Sequence, residues 1–285
     1  GTGTRTRTRT RTRTRTRTHT RTPTPPPPPP PPPPPAPRRP PPPPPPPPPP
    51  HRPMDLIWQG LLDALRLLAA RDPATLRIAG LSLAISGAAT VIAALVGLPL
   101  GVALALRRFP GRRLLTGLVN TGMGLPPVVV GLTVALFLWR SGPFGALGLI
   151  YTPIAMIVAQ VIVALPLAAG LTRGAIIATD PDLLGALRAD GAREWRVGWE
   201  IARSARAQLL VAVAAAFGRA ISEVGASQIV GGNIVGQTRI LTTAIALETG
   251  RGEFARAIAL GLILLALALL VNTGLARAAR VAPTG

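Results

Sequence analysis

Residues 180–207, DPDLLGALRADGAREWRVGWEIARSARA, form a charged, helix-prone segment lodged between two long apolar runs. Ordering such a segment costs roughly 1–2 kcal/mol per residue in backbone entropy, a cost that mere connection gives no reason to carry. Leu183, Leu184, Leu187, Trp195 and Trp199 alternate with charges, so helices here are amphipathic. Gly191 lies near the middle of the segment. The pattern reads as a cytoplasmic coupling element against which a separate motor subunit docks, which makes the chain a membrane-embedded subunit.

Outward from this segment the chain is apolar. Five runs approach or exceed the roughly 20 residues that cross a hydrocarbon core of about 30 Å: Ile78–Leu106, Leu114–Trp139, Thr152–Leu171, Gln208–Val230 and Ala257–Ala276. Helices satisfy their own backbone in lipid, so a bundle of about five transmembrane helices follows over residues 78–276. Residues 54–77 differ. Leu56, Ile57, Leu61, Leu65 and Leu68 form a stripe interrupted by Asp63 and Arg66, which reads as an interfacial amphipathic helix and lead-in.

Residues 1–53 are a Thr-Arg alternation followed by poly-Pro runs at Pro25–Pro35 and Pro40–Pro50. That composition cannot bury a core: proline favours an extended helix and the arginines repel one another. The first Met is Met54, directly before the membrane pattern, so residues 1–53 are expected to be translated repetitive DNA and Met54 the start. The stretch holds 11 of the 31 basic residues and no acid, which leaves 20 arginines against 11 carboxylates in the remainder. The overall charge of +20 is therefore no nucleic-acid signature, and no nucleic-acid partner is expected. Both histidines, His19 and His51, fall in the same stretch, and Cys and Lys are absent.

Arginine placement sets the orientation. With the loop after the first span inside, Arg107, Arg108, Arg112 and Arg113 face the cytoplasm, together with the six arginines of residues 173–206 and Arg277 and Arg280 of a cytoplasmic tail, 277–285. Seven arginines then lie outside: Arg66, Arg71, Arg77, Arg140, Arg239, Arg251 and Arg256. This predicts the N-terminus outside and the C-terminus inside.

Chemistry-bearing residues are few. Pro126 and Pro127 in the second span and Pro166 in the third remove backbone donors and predict kinks. Gly80, Gly87, Gly97 and Gly101 favour close helix packing in the first span. Arg219 and Glu223, four apart, are charged within an otherwise apolar run. Either alone costs roughly 2.5–3.5 kcal/mol at mid-bilayer, so they pair or face a cavity. One reading places them beside an anion path or gate, with Ser227 and Asn233 as oxyanion donors; the other makes them a structural ion pair. No metal cluster is expected. There is no Gly-x-x-x-x-Gly-Lys-Ser/Thr phosphate loop, so the chain is expected to bind no cofactor and to leave ATP hydrolysis to a partner.

The 180–207 segment resembles the cytoplasmic coupling loop of ABC-importer permeases, in which Glu-Ala-Ala precedes a Gly by three residues. Gly191 matches that Gly and Ala186 the first Ala, whereas Gly185 and Leu187 stand at the Glu and second Ala positions. LPPVVVGL at 125–132 resembles the second-span motif of molybdate-type permeases. GRAISEVGASQIVGGNI at 218–234, with TRILTTAI at 238–245 and ETGRGEF at 248–254, is most similar to the tungstate branch. The resemblance covers 54–285 and implies an all-α, type I ABC-importer permease in the bacterial inner membrane. It implies a homodimer with the path between protomers, two ATPase subunits using ATP and Mg on the coupling loop (Leu183, Leu184, Ala186, Leu187, Asp190, Gly191, Trp195), and an extracytoplasmic oxyanion-binding protein. Tungstate is the expected cargo, with molybdate and sulfate as alternatives.

Two other classes compete. An intramembrane hydrolase needs a base and a nucleophile, and residues 54–285 hold no His, Cys or Lys. A membrane scaffold recruiting partners through the poly-Pro tail explains neither the loop nor the spans.

Overall fold

The computed structural model describes residues 53–281, and the readings made on residues 1–52 and 282–285 lie outside them. These residues form eleven α-helices and no strand: α1 (Pro53–Ala69), α2 (Pro73–Leu106), α3 (Arg112–Met123), α4 (Pro127–Leu138), α5 (Pro153–Ile177), α6 (Pro181–Ala189), α7 (Glu194–Ser204), α8 (Arg206–Ile221), α9 (Gly225–Gly231), α10 (Leu241–Gly250) and α11 (Phe254–Val281). Three of them, α2, α5 and α11, are long and apolar enough to cross a membrane. Counting α3–α4 and α7–α8 as one bent span each raises the number to five.

Boundaries depart from the sequence reading where local chemistry intervenes. The first span opens at Pro73, five residues earlier than expected, because Asp72 caps it: its carboxylate accepts from the Thr75 amide at 2.8 Å and the Thr75 hydroxyl at 2.6 Å. Those bonds hold the Asp72 carboxyl below the usual carboxylate range, the hydroxyl bond contributing most. Residues 114–139 are not one kinked helix. The chain turns through 109° between α3 and α4, and Pro127 stands in the first turn of a new helix. Likewise 208–230 divides at Ser222–Val224 into α8 and α9. At the C-terminus α11 continues through Val281, into the residues assigned to a tail.

Small residues hold the long helices together. α2 and α5 form the most extensive interface. A Cβ on Gly101 would lie 2.5 Å from the Ala169 carbonyl and 2.6 Å from Thr172 Cβ, and one on Gly97 would lie 2.9 Å from Ala168 Cβ. Gly80 and Gly87 on the same helix meet nothing. α1 docks on α11 in the same way, with Gly60 against Ile258 and Ala64 buried, while Ile57, Trp58 and Leu65 stay exposed. The helix therefore packs through Gly60 and Ala64 and leaves Ile57, Trp58 and Leu65 free.

Candidate functional site

Two places collect the residues singled out above. The first is the α6–α7 hairpin. Asp180 caps α6 by accepting from the Asp182 amide at 2.9 Å. The helix ends where the Gly191 amide donates to Arg188 O and the Ala192 amide to Leu187 O. Gly191 has φ +73°, the left-handed backbone that glycine adopts without a Cβ penalty, and this turns the chain into α7. Arg188 and Glu194 then bridge the turn at 3.3 Å.

The amphipathic faces of the hairpin divide cleanly. Leu184 and Leu187 pack inward with Val197 and Ile201 against Val102 and Leu106 of α2, so they anchor the hairpin to the bundle. Leu183 is half-buried, and Ala186 and Asp190 are exposed. Trp195 and Trp199, one helical turn apart on α7, are each 64% exposed. Trp195 borders a cavity of about 460 Å³ shared with Leu187, Asp190, Gly191, Arg196 and Glu200. Large aromatic rings held in solvent on a helix anchored from behind are suited to filling a partner's groove.

The second place is the break between α8 and α9. Glu223 is 2% exposed, and its Oε1 accepts from the Ala226 amide at 2.9 Å, satisfying one of the free donors that open α9. The Thr242 hydroxyl donates to the Glu223 carbonyl at 3.0 Å. Arg219 sits 4.0 Å from the other Glu223 oxygen, with about a third of its side chain (32%) exposed. Its Nη2 reaches across to the Leu125 carbonyl at 3.5 Å, in the α3–α4 break. One ion pair thus touches both breaks. The stretches 125–132 and 218–234 lie against one another: a Cβ on Gly131 would lie 2.5 Å from Ala226 Cα, and one on Gly225 would lie 2.7 Å from Val128 Cγ2.

Ser227 is fully buried and accepts from Gln160 Nε2 of α5 at 3.2 Å. Asn233 is 9% exposed at φ +52°, and its side-chain oxygen accepts from Arg239 Nε at 3.2 Å. Of these four residues, Arg219 is the one whose donors are both loosely engaged and exposed. Pro166 lies inside α5, which runs on through it and packs against Gly122 of α3. Sequence reasoning passed over Gln160, although a single amide in an otherwise apolar span was signal enough. Thr238 and Thr242 entered only as members of the 238–245 motif and were given no role, although their hydroxyls tie the turn after α9 and the α8–α9 break.

Residues 97–280 match the model of the family described as binding-protein-dependent transport system inner membrane component. The chain belongs to that family. The permease is 42% identical to the tungstate uptake system permease protein TupB of Peptoclostridium acidaminophilum, over 77% of this chain and 96% of that protein. It is 46% identical to a probable anion ABC transporter permease protein of Haloferax volcanii, over 68% of this chain and 86% of that protein. Likeness to the molybdenum transport system permease protein ModB of Escherichia coli is lower, 31% over 66% of this chain and 90% of that protein. Among solved structures, a bacterial alginate ABC transporter in complex with its periplasmic protein superposes with a TM-score of 0.61 at 19% identity, covering 82% of this chain and 89% of the matched one. The permease therefore has the all-α bundle of type I ABC importers and is a multi-pass membrane protein. Both places described above fall inside the matched region.

Proposed function

We propose that the permease imports an oxyanion, tungstate first, as a homodimer in the bacterial inner membrane. An ATPase subunit, using ATP and Mg, docks on the α6–α7 hairpin, and an extracytoplasmic binding protein delivers the anion. The observation that carries the cargo is the 42% identity to a tungstate permease across 96% of its length, against 31% for the molybdenum permease. The periplasmic protein in the solved alginate importer supports a delivering partner of that kind.

The geometry supports a division of labour. The hairpin is fastened to α2 by Leu184 and Leu187 and offers Trp195 and Trp199 outward, so force on the aromatic face reaches the bundle through packed side chains. Closure of the motor biases the inward and outward states only through contacts that differ between them. Arg219, tied loosely to both helix breaks, lies along the path and meets the passing anion, while Glu223, Ser227 and Asn233 hold the breaks in shape. The N-terminus lies outside and the C-terminus in the cytoplasm, as the arginine distribution supports.

Co-expression of the permease with its ATPase and binding protein, reconstitution into vesicles and uptake of tungstate against molybdate and sulfate test this reading. Selective, ATP-dependent tungstate uptake is expected. Selective uptake of another oxyanion discards the cargo and keeps the importer; no copurifying ATPase and no uptake of any discards the importer.

A further inference from the structure

We infer that the cleft between the C-terminal end of α2 and the α6–α7 hairpin binds the phosphodiester headgroup of an anionic phospholipid. The cleft holds about 820 Å³ and is walled by Arg107, Arg108, Phe109 and Arg112 on one side and by Arg188 and Glu194 on the other. A shallower hollow of about 300 Å³ adjoins it and shares Arg108, Phe109 and Arg112 with it.

Charge in the cleft is uncompensated. Glu194 is already engaged by Arg188 through two contacts, 3.3 and 3.4 Å long. Among the described residues no carboxylate lies within ion-pair distance of Arg107, Arg108 or Arg113. Arg112 is spent differently: its Nε donates to Leu104 O at 2.8 Å and its Nη2 to Ala105 O at 3.4 Å, closing the end of α2. This staple fixes the short loop from Arg107 to Gly111, so the two free arginines are held at the cleft instead of trailing in solvent.

Depth points to a lipid rather than a soluble anion. Leu114 and Leu118, in the first and second turns of α3, are 70% and 59% exposed, and Phe109 beside the arginines is 37% exposed. Apolar side chains that stand free within two turns of Arg113 belong to the acyl region, and the apolar Phe109 ring beside the arginines extends that surface to the cleft. The arginines thus sit at headgroup level, where basic pockets beside membrane helices take lipid phosphates. The inference does not depend on the cargo.

The test uses the full chain, purified in mild detergent after expression in membranes that contain phosphatidylglycerol, with bound lipid counted by native mass spectrometry. The same preparation is then placed in phosphatidylcholine nanodiscs with and without 30% phosphatidylglycerol, a composition set at roughly that of an anionic leaflet. Retained phosphatidylglycerol is expected to fall about five-fold or more in R107Q/R108Q, to survive in the charge-preserving R107K/R108K, and to survive in R140Q at a distant arginine. Millimolar inorganic phosphate or tungstate is expected to leave it in place. Equal retention in R107Q/R108Q overturns the inference, as does displacement by free phosphate or tungstate, which assigns the cleft to a soluble oxyanion. Retention unchanged in that variant with ATPase copurification lost assigns the cleft to the motor and overturns the inference too. Monodispersity of R107Q/R108Q separates loss of a ligand from loss of fold.

Discussion

α2 and α5 carry prolines in their interiors, Pro99 and Pro166, and run on as single helices. The stretch around Pro126 and Pro127 carries the same residue and turns through 109°. A lone interior proline removes one hydrogen bond, and the close approach of Gly97 and Gly101 to α5 packs the two helices together beside it. Adjacent prolines do more, because two successive backbone donors are missing and the first proline, standing before the second, is itself driven out of the helical region. Pro126 therefore takes ψ 121° and Pro127 starts a fresh helix. The α8–α9 break needs no proline at all: it is held by the Glu223 carboxylate on the Ala226 amide and by the Thr242 hydroxyl. Breaks in this molecule thus arise in two ways, from adjacent prolines at α3–α4 and from side-chain partners of freed backbone groups at α8–α9.

Substituting the continuous pair gives the largest expected effect. Gly101→Leu drives a side chain into the Ala169 carbonyl and Thr172, costing on the order of 3 kcal/mol or more, and leaves little monodisperse protein, whereas Gly80→Leu, which meets nothing, leaves the detergent unfolding midpoint unchanged. Similar midpoints for the two variants break the contrast between packed and open faces. At the α8–α9 break, Glu223→Ala strips the cap from α9 and the partner from Arg219. About 1–3 kcal/mol is expected, kept below the value for a fully buried pair because a third of the Arg219 side chain meets solvent. Glu223→Gln, which keeps an acceptor for the Ala226 amide, recovers part of that loss, and a double-mutant cycle with Arg219→Gln isolates the pair.

Smaller effects lie on the hairpin. Gly191→Leu forces a branched side chain into φ +73° with open space around it, so about 1–2 kcal/mol of local strain is expected, with ATPase copurification falling further than global stability. The smallest effect belongs to the cap of α2. The Asp72 carboxyl is depressed, so its contribution is complete above the unfolded carboxylate value and disappears as pH falls through the lower folded one. Asp72→Asn should flatten the acid limb by lowering the unfolding midpoint slightly at neutral pH while matching the parent at the acid end; an identical acid limb in the variant removes the cap from the account.

The order of apolar runs and the helical character of residues 180–207 were legible in one dimension, because hydropathy and caps are local. The same was true of the Arg219–Glu223 pairing, since four residues is one turn of helix. The α8–α9 break was not, for its partners Leu125 and Thr242 come from elsewhere in the chain. Nor was the fate of the hairpin leucines: periodicity made Leu184 and Trp195 equally apolar, and only the presence of α2 behind the hairpin decided that one anchors and the other faces out.

Composition and spacing by themselves determined a multi-span helical membrane protein with a charged, helix-prone loop, since burial in lipid leaves the backbone few other choices. Tertiary structure alone decided which glycines are contacts, where α8 gives way to α9 and which arginines stay unpaired. Each of those is settled by what a second helix places within a few ångströms, and a single segment carries no record of its neighbour.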